Sequence, residues 1–251
     1  MKAASKYKAN LEVLEDYEHL ARRSLGLFIS DARDAIADKG VFYVAISGGR
    51  TPERFFELLG QSPEALEMPW NKIHLFWVDE RYVPADSKWS NYRLARRTFL
   101  NRVPIPEKNV HRIPTEHDDF QSSATQYEKT LIETFNLKEG QFPQFDLIVL
   151  GMGEDGHVGS LFPNSYAHFD TTNLACVVYI LEEELNRITL SHPVICSGAH
   201  IVVLVSGEKK SAILKEVFTS ELDEVRYPVH LLWPVLDRVT WLVDSQAASL
   251  L

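Results

Sequence analysis

Cysteine is nearly absent: Cys176 and Cys196 are the only two in 251 residues. That argues against a disulfide scaffold, leaves one bridge between them open, and makes a reducing cytoplasmic setting the expectation. Positive charge is also short, with 26 Lys and Arg against 35 Asp and Glu and a formal net charge of −9. A chain with this balance does not grip nucleic acid or an anionic membrane through bulk charge, and neither is an expected partner. A few local cations still suffice for one phosphate. Long apolar runs are missing: nothing approaches the roughly 20 residues of a membrane span, and residues 1–10 hold no apolar core. No repeat or Gly/Ser linker divides the chain. GxxxxGK[ST], GxSxG, HExxH, paired CxxC and EF-hand loops do not occur. A serine nucleophile and the common metal sites are therefore not suggested, while hydrolysis by directly activated water stays open.

What is present is ordinary globular composition, 45% hydrophobic and 24% charged, in a chain long enough to bury roughly 70–75% of its unfolded surface. Leu14, Tyr17, Ala21, Leu25, Phe28, Ala32 and Ala35 recur at spacings of three and four and predict a first helix closed by Gly40. Short apolar, β-branched runs predict strands over 41–46, 73–78, 145–150, 201–205 and 239–243. Thr51 as N-cap and Pro52 at N1 predict a helix through Leu59, ended by Gly60. Further helices begin near Asn91, present Ala124, Tyr127, Leu131 and Phe135 on one face, and run to about Phe218. This alternation predicts a single α/β domain over 1–251, a mostly parallel, Rossmann-like sheet with helices on both faces. Ligands of such sheets bind at the carboxyl ends of the strands. The loops after Ile46, Val78, Leu150 and Val205 should then share one rim.

Those loops are the ones richest in glycine and charge. Ser47-Gly48-Gly49-Arg50-Thr51-Pro52 suits a phosphate, because paired glycines let backbone N–H groups converge beside a helix N-terminus. It equally suits a tight, well-capped turn. Asp79-Glu80-Arg81 and Ser90-Asn91-Tyr92, taken alone, read as solvated charges at a strand end and an Asn helix cap. Gly151-x-Gly153-x-x-Gly156 matches the dinucleotide fingerprint literally, but Glu154 and Asp155 put negative charge where a pyrophosphate must sit. Gly159 and Pro163 also interrupt the helix that the fingerprint needs. What remains is His157 exposed in a stiff loop, two residues after Asp155: a general-base candidate. Asp79 and Glu80 stand behind it as alternative bases. Arg187 and Lys210 are individually ordinary surface cations, of interest because a phosphate at this rim needs fixed positive charge.

Taken together, Ser47-Gly48-Gly49-Arg50-Thr51-Pro52, Asp79-Glu80-Arg81-x-Val83-Pro84, Ser90-Asn91-Tyr92 and the stretch from Gly151 through Gly156-His157 to Ser160-Leu161-Phe162-Pro163 resemble the 6-phosphogluconolactonase family. Arg187-Ile188-Thr189-Leu190 and Ser206-Gly207-x-x-Lys210 continue the resemblance. It implies the hexosamine-phosphate isomerase type of fold and cofactor-free hydrolysis of a sugar phosphate lactone. It further implies His157 as base with Asp155 nearby, and Gly48, Gly49, Arg50, Thr51, Arg187 and Lys210 around the phosphate. Asp79, Arg81 and Asn91 would line the sugar end, where Arg81 or a loop N–H would meet the oxyanion. Related aminoisomerases share the first turn and the Asp-Gly-His core but continue into a stretch bearing a carboxylate, where this chain has Gly159-Ser160-Leu161-Phe162-Pro163. Aminoisomerase chemistry and a non-catalytic sugar-phosphate sensor are the competing readings.

Overall fold

The computed structural model describes residues 10–180 and 185–251; the reading of the first nine residues lies outside them. In chain order the elements are β1 (Leu11–Leu14), α1 (Tyr17–Lys39), β2 (Phe42–Ile46), α2 (Glu53–Leu59), α3 (Pro63–Leu66), β3 (Ile73–Trp77) and β4 (Asp79–Arg81). They continue with α4 (Asn91–Ala95), β5 (Val110–His111), α5 (Phe120–Phe135), β6 (Leu147–Gly151), β7 (Ala175–Val178) and β8 (Arg187–Leu190). The last are α6 (His192–Cys196), β9 (His200–Val205), α7 (Ser211–Thr219) and β10 (Val239–Asp244). Seven strands form one parallel sheet in the order β1-β10-β9-β6-β2-β3-β5.

Strand alternation sends side chains to two apolar layers. Phe42 packs on Phe28 of α1 at 5.4 Å between centroids, with Phe55 and Trp70 beside Phe28. On the opposite face Phe76 meets Phe135 of α5 and Phe145. Burial on both faces is why these strands read as continuous apolar runs. From β2 the crossovers run to β3 and then β5; from β6 they run the other way, to β9 and then β10. The order therefore switches between β2 and β6, and a crevice opens at their carboxyl ends. Register keeps the ends level, since Ile46 pairs with Trp77 on one side and Val149 on the other.

A second, antiparallel sheet of order β4-β8-β7 departs from the predicted string of loops. Val78 is its junction with the first: its N–H donates to Ile46 while its carbonyl accepts from Leu190. Residues 79–81 are thus a strand and not a loop. Three charged residues carry almost no strand propensity, and the pairing with β8 is what makes the strand.

Two boundaries also differ. Leu14 belongs to β1, and α1 starts at Tyr17 because the Asp16 side chain accepts from His19 N at 2.9 Å. Leu14 shares the helical spacing without being helical. The helix does end at Gly40, at φ +81°. Thr51 does not cap α2: the N-cap is Pro52, which makes no side-chain bond. The Tyr17 hydroxyl does that work instead, accepting from Arg54 N at 3.0 Å and donating to Arg50 O at 2.8 Å.

Candidate active site

The loops after β2, β3, β6 and β9 meet at one rim, around a cavity of about 1480 Å³. Every residue expected at the site lines it: Gly48, Gly49, Arg50, Thr51, Asp79, Arg81, Asn91, Asp155, His157, Arg187 and Lys210.

The first wall is the turn 47–52. Gly48 is required by contact: a Cβ there would lie 1.9 Å from Asn91 Oδ1. Asn91 is fixed in turn by donating to Asp79 O at 2.8 Å. Ser90, not Asn91, caps α4, its hydroxyl accepting from Arg93 N at 3.1 Å.

Glu80 stands behind this wall and does not line the cavity. Its carboxylate accepts from the N–H groups of Arg81, Asn91 and Tyr92 at 2.7–2.8 Å and from Ser90 Oγ at 3.0 Å. Burial pushes it up to about 6 against those four bonds. Glu80 is a clamp on the start of α4 and drops out as an alternative base. Asp79 does face the cavity, with Oδ2 accepting from Ser160 Oγ at 2.8 Å.

The second wall is the loop after β6. Val158 bridges to both Met152 and Leu161, so the segment folds back on itself. No nucleotide-binding helix follows Gly156, in keeping with rejection of the dinucleotide fingerprint. His157 Nδ1 lies 2.6 Å from Asp155 Oδ1, and the same oxygen accepts from His157 N at 3.1 Å. Burial raises the Asp155 carboxyl, but the bonds from His157 outweigh it and hold the group below its ordinary value. An ionised carboxylate only accepts, so Nδ1 carries the hydrogen and the neutral ring keeps its lone pair on Nε2. Gly153 makes room for the pair, since a Cβ there would lie 2.2 Å from His157 Nδ1 and 2.4 Å from Asp155 Oδ1.

Cations complete the wall. Arg81 and Arg187 pair directly across β4 and β8, on one face of that sheet. Both guanidinium residues line the cavity. Arg81 Nη1 donates to Trp89 O at 2.7 Å, while its buried Nε has no partner among the described residues. Lys210 is lowered by burial, with Glu154 and Asp155 opposing the shift. Its loop is anchored from below: Gly207 N and Ser206 Oγ donate to the buried Asp244 at the end of β10. Arg50 is the exposed member, 4.0 Å from Glu154.

Among the described residues, no group of three or more His, Cys, Asp or Glu is placed to hold a metal ion, and no helix is long and apolar enough to cross a membrane. Both cysteines are free; Cys176 donates to Asp170 and Cys196 to Leu231 O. Sequence reasoning gave no role in the site to Tyr17 or Asp244, and named Ser160 and Phe162 only as part of the motif after His157. Their work is contact between distant segments, which spacing along the chain does not report.

The family described as glucosamine-6-phosphate isomerases/6-phosphogluconolactonase matches residues 15–241. The chain belongs to that family. Within it, the chain is 38% identical to a 6-phosphogluconolactonase of a Nostoc species, over 96% of this chain and 98% of the relative. The crystal structure of 6-phosphogluconolactonase from Thermotoga maritima superposes with a TM-score of 0.80 at 27% identity, covering 94% of this chain and 99% of the other. A monomeric glucosamine-6-phosphate deaminase reaches a TM-score of 0.82 at 19% identity, covering 96% and 100%. That likeness shows the shared glucosamine isomerase/6-phosphogluconolactonase fold alone.

Proposed function

We propose that this chain is a 6-phosphogluconolactonase that hydrolyses 6-phospho-D-glucono-1,5-lactone to 6-phospho-D-gluconate, as in the oxidative pentose phosphate pathway, without a cofactor. Residues 1–251 are read as one sugar-phosphate lactonase domain acting in the cytoplasm, with no nucleic acid or membrane partner. The observation that carries the reading is the His157–Asp155 pair, with Nε2 available on a cavity that Arg81, Arg187 and Lys210 also line. The N–H groups of 48–51 with Arg50, Arg187 and Lys210 hold the phosphate, and Asp79, Arg81 and Asn91 line the sugar.

His157 Nε2 takes a proton from a water as that water attacks the lactone carbonyl, and Asp155 stabilises the imidazolium that results. The Arg81 guanidinium, at the cavity wall, or a loop N–H stabilises the developing oxyanion. Collapse breaks the ring ester bond, and the imidazolium returns its proton to the departing ring oxygen. A δ-lactone is already electrophilic, so positioned water suffices and no covalent intermediate is needed. An aminoisomerase must instead move a proton between sugar carbons and expel ammonia. After His157 this chain supplies Ser160, whose hydroxyl is spent on Asp79, and no carboxylate up to Pro163.

The test follows loss of the phosphorylated lactone above its spontaneous rate, alongside ammonia release from glucosamine 6-phosphate. Rapid lactone loss with no ammonia is expected. Ammonia at an enzymatic rate, with lactone decay no faster than in buffer, overturns the assignment. Binding of both sugar phosphates with turnover of neither supports a sensor.

A further inference from the structure

Phe162 is tied into the site from three sides. Its ring lies 4.4 Å from the His157 ring between centroids, tilted by 47°. The Arg187 guanidinium sits over the same ring, 5.5 Å from its centroid. Its carbonyl is held by His168 Nε2 and by Ser165 N. The residues just before it are fixed as well, Leu161 by the bridge to Val158 and Ser160 by its bond to Asp79. A half-buried ring so anchored on both sides cannot drift without moving these bonds. It therefore forms one rigid partition touching both the histidine and the cation from β8.

We infer that Phe162 is a positioning residue that sets His157 and Arg187 relative to each other, and with them the distance between attacking water and bound phosphate. The inference rests on the lactonase reading, in which His157 is the base and Arg187 reads the phosphate. One face of the ring limits rotation of the imidazole about its Asp155 bond. The guanidinium over the ring gains a cation–π contact that orients its planar fork. Aliphatic residues of similar bulk fill the space but give neither a flat stop nor a π face.

The experiment compares Phe162→Leu and Phe162→Tyr with His157→Gln, on the phosphorylated lactone and on the lactone lacking phosphate, with melting temperatures recorded for each. Phe162→Leu should lower kcat by about 10-fold and raise KM by about 3- to 5-fold on the phosphorylated lactone. On the unphosphorylated lactone only the kcat loss should remain. Phe162→Tyr, which keeps the ring, should restore both constants to within about twofold of the unmodified protein. A Phe162→Leu protein with unchanged constants, a loss not rescued by Tyr, or a KM rise equal on the two lactones overturns the inference. If instead His157→Gln keeps its turnover, the underlying base assignment has failed, a different and distinguishable result.

Discussion

Two part-buried histidines sit on carboxylates in nearly the same way: His157 Nδ1 is 2.6 Å from Asp155, and His200 Nδ1 is 2.7 Å from Asp31. Exposure does not separate them, at 27% and 24% of the side chain. The other nitrogen does. His200 Nε2 is bonded to Thr240 Oγ1 at 2.9 Å, so its ring ties α1 to the amino ends of β9 and β10. The ring of His157 lines a cavity at the carboxyl end of β6. A His–Asp pair is a chemical device only where its second nitrogen faces space a ligand can enter. At the opposite end of the sheet the same pair is a clasp.

The sharpest way to break this comparison is to make the same substitution in both. His157→Gln should lower kcat by ~10²-fold or more with modest change in KM, after the spontaneous opening of the lactone is subtracted. His200→Gln should leave kcat unchanged and cost about 1 kcal/mol of stability, read as a small fall in melting temperature. Loss of turnover in a folded His200→Gln protein would erase the distinction. Retention of most turnover in His157→Gln would shift the base role to Asp79.

Next in size is a cation that lines the cavity. Lys210→Ala should weaken substrate binding by about 1.5–3 kcal/mol through loss of a charge-assisted bond. The effect should shrink sharply on a lactone without phosphate. Equal losses on both would remove Lys210 from the phosphate.

A further test uses Glu80, the buried carboxylate that clamps the start of α4. Burial pushes its carboxyl up to about 6, above the ordinary value of about 4.5. The stability it contributes is therefore complete below about pH 4.5 and is lost as pH rises through 6. That window is worth about 2 kcal/mol. Glu80→Gln lacks this slope, so the melting temperatures of the two proteins should converge between pH 4.5 and 6.5. A difference that stays constant across that range would contradict the assignment.

The parallel sheet is legible in the sequence because its strands, covered on both faces, are unbroken apolar runs such as 41–46 and 201–205. The residues around the cavity are legible for a related reason: glycines and charges collect where such strands end. The second sheet is not. Asp79, Glu80 and Arg81 become a strand only through β8, more than a hundred residues away in the chain. Tyr17 as the cap of α2 and Phe162 as a partition are equally invisible, since each acts across segments with no shared period. Thr51 shows the converse failure: a good local cap signal yields to a hydroxyl delivered by another helix.

The pairing of Arg81 with Arg187 has a thermodynamic consequence. Only folding brings these two guanidinium residues together at the proposed phosphate site; in the unfolded chain they are far apart. A ligand that binds only the folded form adds RT ln(1 + [L]/Kd) to the unfolding free energy, about 2.7 kcal/mol at one hundred times Kd. On the proposed phosphate site, inorganic phosphate is a ligand of this fold, and the midpoint of a melting curve should climb with phosphate concentration at constant ionic strength.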